Sequence, residues 1–418
     1  MATYLIIGNG IAGFSAALRL RKLRKNAEIY IFTKEKYPIY DKRDLPFFIS
    51  GKVDEDYILL TDLDFYEENN INIIFGTVTF IDTDNYEIRL SDGEYYGYDK
   101  LIIASGSKPI SKINQKIFQL PTYYLKTMDD AKSIKSALKT ANNVVIIGGN
   151  QSSFTLAAEL VDINKNVSLI IRKGNMTWNL FDDFSKIVIS KLFSYLGVNF
   201  YPDVEISNVD RKKKSIKLSS GKQIPADIVI IDENFTPNID FLRKSKIKVG
   251  EGIIVDHYFM TNVEDVYAIG DVAEVYDVIY GKNMPHQGWE IAKEQGELVA
   301  YNIVEPACEY MGTVTAIGFT IGKYNILAAG LTTGTDDKYE IFTYKNLGKM
   351  IYKKFIFDGE YLVGGIMITK EQSVDENKLS LIRVISRKMI MEPWKDDILR
   401  DDLSFYEIYT YFEKNIED

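Results

Sequence analysis

Tyr4-Leu5-Ile6-Ile7-Gly8-Asn9-Gly10-Ile11-Ala12-Gly13 is a short apolar run that breaks into glycines, and its reading decides the fold. The run has β character from Tyr4 to Ile7. An Ala/Leu-rich segment from about Phe14 to Arg24 reads as a helix, and a second β run spans Glu28 to Phe32. Strand, glycine turn, helix and strand in this order give the pattern Gly-x-Gly-x-x-Gly its meaning. Gly8 permits the tight turn, Gly10 lets the backbone approach a diphosphate, and Gly13 lets helix and strand pack closely. The diphosphate would lie on free N–H groups at the positive end of the helix. This βαβ unit is read as a dinucleotide site.

An acidic residue is expected to end the second strand of such a unit and hold the ribose hydroxyls. Glu35 is the acid in reach, a little past the strand end, and a solvated surface glutamate is the competing reading. The chain's 418 residues suffice for two or three domains with full cores. Hydrophobic residues at 46% and charged residues at 26% describe a globular protein. A net charge of −9 argues against nucleic acid as a partner. Met1 leads almost directly into a core strand, and no apolar run is long enough to span a bilayer, so a cytoplasmic location is expected. One cysteine, Cys308, excludes a disulfide framework, and two histidines, His257 and His286, are too few for a typical zinc site.

Further along, Tyr37 to Lys52 reads as a loop, Asp62 to Asn69 as an acidic helix, and Ile73–Thr83, Tyr86–Leu90 and Tyr95–Gly97 as a hairpin-like series. Leu101-Ile102-Ile103-Ala104-Ser105-Gly106 is a buried strand ending in small residues, which leaves room for a ligand at its carboxyl end. The opening pattern then returns. Val144-Val145-Ile146-Ile147-Gly148-Gly149-Asn150-Gln151-Ser152-Ser153 enters a second Ala/Leu-rich helix, Phe154 to Val161, and a strand, Val167 to Ile171. Gly148 falls on Gly8, Asn150 on Gly10 and Ser153 on Gly13. The chain thus carries an internal repeat, degraded at two of its three glycines. Farther on, Val266-Tyr267-Ala268-Ile269-Gly270-Asp271 is a strand ending in Gly-Asp ahead of an expected helix. Asp271 is either that helix's N-cap or a carboxylate for ribityl hydroxyls.

With these stretches in place the sequence resembles the FAD-dependent pyridine nucleotide-disulfide oxidoreductase superfamily. It is most similar to the branch without a redox disulfide, the rubredoxin and ferredoxin reductases and the flavin domain of assimilatory nitrite reductases. The resemblance covers residues 1 to about 370. It implies an α/β fold with two Rossmann-like domains of the glutathione-reductase type and an α+β C-terminal domain. Residues 1–110 and 245–310 would form a discontinuous FAD domain, 111–244 an NAD(P)-binding-like domain, and 311–418 an interface domain with a helical tail. Gly8, Gly10, Ile11, Ala12 and Gly13 would hold the FAD diphosphate, Glu35 the adenosine ribose, and Ala104, Ser105, Gly106, Gly270 and Asp271 the rest of the cofactor. Lys42 falls where relatives carry a basic residue beside the flavin. The helix after Gly288, or the one after Asp271, would stabilise negative charge on the reduced flavin.

The departures narrow the chemistry. Relatives that reduce disulfides or peroxide carry a cysteine near Phe47 to Gly51, and this chain has none there. Thr155 stands where relatives place a glutamate. Gly148 and Asn150 remain candidates for the pyridine nucleotide diphosphate, the Asn150 amide offering a hydrogen bond. Arg172, followed by Lys173, is either a 2′-phosphate acceptor favouring NADP or a solvated basic turn. No residue is required as acid, base or nucleophile. The implied activity is hydride transfer from NAD(P)H to FAD and electron delivery to a small redox protein or other acceptor. The alternative is an FAD-carrying subunit of a larger dehydrogenase whose degenerate second site binds no NAD(P)H. Alternating strands between Ile317 and Ile368 predict an antiparallel sheet that mediates association with a partner or a second copy.

Overall fold

A computed structural model describes residues 2–110, 117, 119–233, 235–305, 308–333, 337–370, 374–401 and 403–415. The first residues of the expected second domain, 111–116, and the end of the tail, 416–418, lie outside the described residues. The chain divides into two compact units. The first comprises residues 1–41, 59–108 and 235–315; the second comprises 42–58, 109–234 and 316–418.

In the first unit the opening strand, Thr3–Ile7, is central to a five-stranded parallel sheet. Glu28–Thr33 and then Ile71–Phe75 lie on one side of it; Lys100–Ile103 and then Val266–Ala268 lie on the other. Leu5, Ile6, Ile29, Ile31, Leu101, Ile102 and Ile103 are fully buried. Such near-continuous apolar runs mark a sheet covered on both faces. One cover is the Ile11–Leu23 helix, against which the Trp289–Val304 helix packs.

The second unit repeats this plan. Asn143–Gly148 is central, flanked by Asn166–Arg172 and Asn199–Val204 on one side and by Ile228–Asp232 and Thr122–Tyr124 on the other, all parallel. Its helix, Gln151–Asp162, follows the central strand as Ile11–Leu23 does in the first unit. Residues 316–369 of the same unit form the expected antiparallel sheet. Its strands are Ala316–Ile321, Tyr324–Gly330, Tyr361–Thr369, Ile351–Asp358 and Glu340–Asn346, in that spatial order. The Val374–Ser386 helix packs on this sheet, with Leu381, Val384, Ile385 and, just past its end, Met389 all buried.

Three local readings need correction. The segment read as a loop, 37–52, holds a 3-10 turn, Lys42–Asp44, and a helix, Leu45–Ser50. Pro46 sits in that helix's first turn, where it costs no hydrogen bond, and Gly51 ends it with a left-handed φ of 84°. The run Ile73–Thr83 is two strands in two sheets. Ile71–Phe75 joins the parallel sheet, and Val78–Asp82 starts a three-stranded antiparallel one with Glu87–Leu90 and Tyr95–Gly97. Gly270-Asp271 lie within a 3-10 turn, Gly270–Val272, which leads into a strand, Ala273–Asp277, rather than a helix. A helix N-cap role for Asp271 therefore lapses, and so does any charge stabilisation from a helix after it. The helix after Gly288 is present, with Gly288 as its N-cap.

Candidate functional site

In the first unit the glycine turn is built as the spacing requires. Gly8 has φ of 113° and its N–H donates to the Phe32 carbonyl at 2.8 Å. A Cβ on Gly8 would stand 2.2 Å from the Ala104 carbonyl oxygen. A Cβ on Gly13 would stand 2.0 Å from the Gly8 carbonyl oxygen, so the helix can lie this close to the strand only as glycine. Gly10 differs from both. A Cβ there would meet nothing within 4 Å, and the space before the helix end is open. Gly10 is the N-cap, in extended conformation, and the helix's first turn, opening with Ile11 and Ala12, carries no acidic residue. Free N–H groups facing an open space suit an anion.

The other first-unit candidates gather around this turn. Ala104 N–H donates to the Ile7 carbonyl at 2.8 Å, and Ser105 Oγ donates to the Asn238 carbonyl at 2.9 Å. Gly106 has φ of 66° and open space where a Cβ would point. Ser107 Oγ donates to Asp271 Oδ2 at 2.9 Å, which ties the end of one strand to the Gly270-Asp271 turn. Gly270 (φ 71°) approaches Ala12, and its N–H donates to Oε1 of buried Gln295 at 2.7 Å. A Cβ on Gly296 would stand 2.3 Å from the Ala12 carbonyl oxygen, so the two helices meet backbone to backbone. Glu35 accepts a hydrogen bond from the Tyr40 hydroxyl. Lys42 belongs to the second unit, where it opens the 3-10 turn before Leu45–Ser50.

Sequence reasoning missed the partner of Asn9. The Tyr66 hydroxyl, buried, receives the Asn9 side-chain amide at 2.9 Å and the Ile39 N–H at 3.0 Å, fixing the middle of the glycine turn. Tyr66 is distant in sequence and carries no local signal.

The second turn is made of the same elements and is filled by its own side chains. Gly148 stays in the sheet, paired with Asp232, and has no left-handed φ. A Cβ on Gly148 would stand 2.4 Å from Ser153 Cβ, and one on Gly149 would stand 2.6 Å from the Asn175 side-chain amide. Asn150 N–H donates to Ser153 Oγ at 3.0 Å. The Asn150 side-chain amide donates to the Asp232 carbonyl at 3.1 Å, and its carbonyl oxygen receives the Thr177 hydroxyl at 3.5 Å.

Two acids stand at the end of the Ile228–Asp232 strand. Asp232 and Glu233 are each 1% exposed. Asp232 Oδ2 accepts from Ser152 Oγ at 2.6 Å, in the first turn of the Gln151–Asp162 helix. Burial pushes the Asp232 carboxyl up to about 6, although the Ser152 hydrogen bond opposes it. Glu233 binds Arg172 Nε and is also raised by burial, Arg172 acting in the opposite direction. Arg172 Nη1 lies 4.0 Å from Glu205 Oε2 as well. The register identifies what these acids replace. Ile7 pairs with Ile103 in the first unit and Ile147 with Ile231 in the second. Asp232 and Glu233 therefore occupy the places that Ala104 and Ser105 hold in the first unit. The internal repeat, followed one strand further, carried that signal.

A family model described as pyridine nucleotide-disulphide oxidoreductase matches residues 2–296. NADH-rubredoxin oxidoreductase of Clostridium acetobutylicum is 33% identical over 332 residues, covering 78% of this chain and 81% of that protein. The assimilatory nitrate reductase electron transfer subunit of Bacillus subtilis is 26% identical over 404 residues, covering 93% of this chain and 51% of that protein. The chain thus spans about half the length of that relative. The crystal structure of NADH:rubredoxin oxidoreductase from Clostridium acetobutylicum is similar with a TM-score of 0.73 at 28% identity, over 94% of this chain and 95% of that one.

Proposed function

The chain belongs to the pyridine nucleotide-disulphide oxidoreductase family, and from that premise we propose that it is an FAD-dependent oxidoreductase reduced by NAD(P)H that passes electrons to a small redox protein. The observation that carries this reading is the open cradle at Gly10 in front of an uncapped helix end, with Asp271 tied beside it through Ser107. In this reading Gly8, Gly10, Ile11, Ala12 and Gly13 receive the FAD diphosphate on backbone N–H groups, with no side chain in its way. Glu35 holds the adenosine ribose. Ala104, Ser105 and Gly106 keep the strand end small, and Asp271 binds the ribityl hydroxyls. Lys42 is the candidate basic residue for the flavin by resemblance alone. Bound FAD supplies the redox chemistry, accepting a hydride from the nicotinamide and releasing electrons to the acceptor. Gly148, Asn150 and Arg172 belong to the pyridine nucleotide site.

The domains in this reading are 1–110 with 245–310 for FAD, 111–244 for the pyridine nucleotide, and 311–418 for association with a partner or second copy. The names of two relatives, a rubredoxin oxidoreductase and an electron transfer subunit, support a protein acceptor. Cys308 is the chain's one cysteine, so thiol–disulfide exchange within the chain has no second sulfur. The purified chain is expected to be yellow and to release FAD on denaturation. Anaerobic addition of NADH or NADPH is expected to bleach it. If millimolar amounts of neither bleach it while dithionite does, the reductase reading falls and the chain is an FAD-carrying subunit. Comparing the two nucleotides also reads whether Arg172 leaves Glu233 for a 2′-phosphate.

A further inference from the structure

The N-terminal end of a helix in a dinucleotide fold is worth most to its ligand when nothing else uses it, because its N–H groups and positive dipole end attract the diphosphate. The two units of this chain treat that end differently. At Ile11–Leu23 the N-cap is a glycine, the first turn has no acid, and the adjacent strand end is Ala104-Ser105. At Gln151–Asp162 the adjacent strand end is Asp232-Glu233, and the Asp232 carboxylate is on the helix's first turn. It receives Ser152 Oγ at 2.6 Å, and the nearby Ser153 backbone favours its charged form.

We propose that Asp232 sets this chain's affinity for pyridine nucleotide, its carboxylate being a resident anion on the helix end that the nucleotide's diphosphate needs. The proposal rests on the reading of the second unit as the pyridine nucleotide site. Two charges of the same sign cannot share one helix end at close range without large repulsion in a poorly solvated site. Asp232 is fully buried, so it cannot swing into water to make way. The surrounding groups reinforce this. Asn150, at the place of Gly10, is held to the Asp232 backbone carbonyl, and Arg172 is held by Glu233. Glu233 adds a second buried acid, and Lys126, after the Thr122–Tyr124 strand, is a cation that favours the charged form of Asp232. The diphosphate of a pyridine nucleotide is thus opposed here, and its adenosine and nicotinamide halves must supply the binding. Asp232 is a specificity-determining residue in this sense, acting against one part of the ligand.

The test uses the FAD-loaded chain, so that the first site is filled, and non-reducing probes: ADP-ribose, which carries the diphosphate, and adenosine, which lacks it. Calorimetry at pH 8 is expected to give dissociation constants for the two within about threefold of each other in the native chain. Asp232→Asn, which keeps shape and removes charge, is expected to tighten ADP-ribose at least tenfold and leave adenosine unchanged. Asp232→Ala, which copies Ala104, is expected to do the same. The inference is overturned if ADP-ribose binds the native chain tenfold or more tighter than adenosine. It is equally overturned if folded, flavin-loaded variants show no change in the ratio, or if none of the three chains binds either probe. Should neither variant fold, the native ratio alone decides. The outcome is separable from that of the function proposed above. A native flavin that NADH leaves unbleached, with variants that gain ADP-ribose binding, removes the reductase reading and keeps this inference. Bleaching at micromolar NADH with no gain in the variants does the reverse.

Discussion

The turns at Gly8–Gly13 and Gly148–Ser153 have the same strand order around them and the same helix behind them, yet they present opposite surfaces to a ligand. The first is hollow. Its middle glycine faces open space, and its neighbours on the adjacent strand end are an alanine and a serine. The second is full. Serine takes up the helix–strand gap, Asn175 lies against Gly149, and a buried carboxylate stands at the helix end. Topology fixes where a diphosphate can approach a doubly wound sheet; the side chains at two strand ends decide whether it is welcome. Three sets of substitutions at or beside the turns test this difference, and a fourth tests the chain's one cysteine.

The largest effect is expected at Gly10. Gly10→Val puts a branched side chain into the open space before the helix, and the purified protein should lose essentially all flavin while keeping its fold. A yellow, stoichiometrically loaded Gly10→Val protein would remove the first turn as the FAD site.

Next comes the third position of each turn. Gly13→Ala drives a Cβ to 2.0 Å from a backbone oxygen and should cost about 3 kcal/mol or more in stability. Ser153→Ala, at the corresponding place, only gives up the serine's hydrogen bonds to Asn150 and should cost about 1 kcal/mol. Denaturant titrations of both measure the asymmetry, and equal losses would mean the two turns are packed alike.

A comparable effect of opposite sign is expected from Asp232→Asn. The folded carboxyl is raised from 3.8 to about 6, so the folded chain holds this proton more tightly than the unfolded one. The associated stability is present below about pH 4 and is lost as pH rises through about 6, a difference of about 3 kcal/mol. Asp232→Asn should therefore melt higher than the native chain at pH 8, by an amount that disappears near pH 4. A variant that is less stable at pH 8 would show that the buried charge is compensated by its surroundings.

The smallest effect is expected at Cys308. It is half-buried, and its backbone N–H and carbonyl bond to the Asn302 side chain whatever its own side chain is. Cys308→Ser should change stability by less than about 0.5 kcal/mol and leave flavin reduction within a few-fold. A loss of several orders of magnitude with the fold intact would bring sulfur back into the mechanism.

Much of this architecture is legible in the chain itself. Parallel strands buried on both faces must be runs such as Leu5-Ile6-Ile7 and Val144-Val145-Ile146-Ile147, and each run stops at a glycine three residues ahead of its helix. The failures have local causes. Leu45–Ser50 is six residues long, too short to show a helical period. Ile71–Phe75 and Val78–Asp82 have similar composition across Gly76, and composition does not say that they enter different sheets. Val272-Ala273 after Gly270-Asp271 suits helix and strand equally. Asp232 and Glu233 follow an apolar strand and look like the start of a polar loop; only the pairing of Ile147 with Ile231 puts them at the mouth of the second turn. Burial of a carboxylate is a property of the folded neighbourhood, and nothing in the adjacent residues announces it.

The backbone contact of Gly296 with Ala12 also has a consequence in time. The first unit takes its edge strand, Val266–Ala268, and its Trp289–Val304 helix from a part of the chain made long after the opening turn. Between them the ribosome delivers the second sheet, whose five strands all come from one continuous stretch, residues 122–232. The second sheet can close on itself while the first still exposes the Lys100–Ile103 edge, which is open to wrong partners until its neighbour arrives. The first unit is therefore complete only once nearly three-quarters of the chain exists, and the proposed FAD cradle at Gly8–Gly13 gains its Gly296 contact only then.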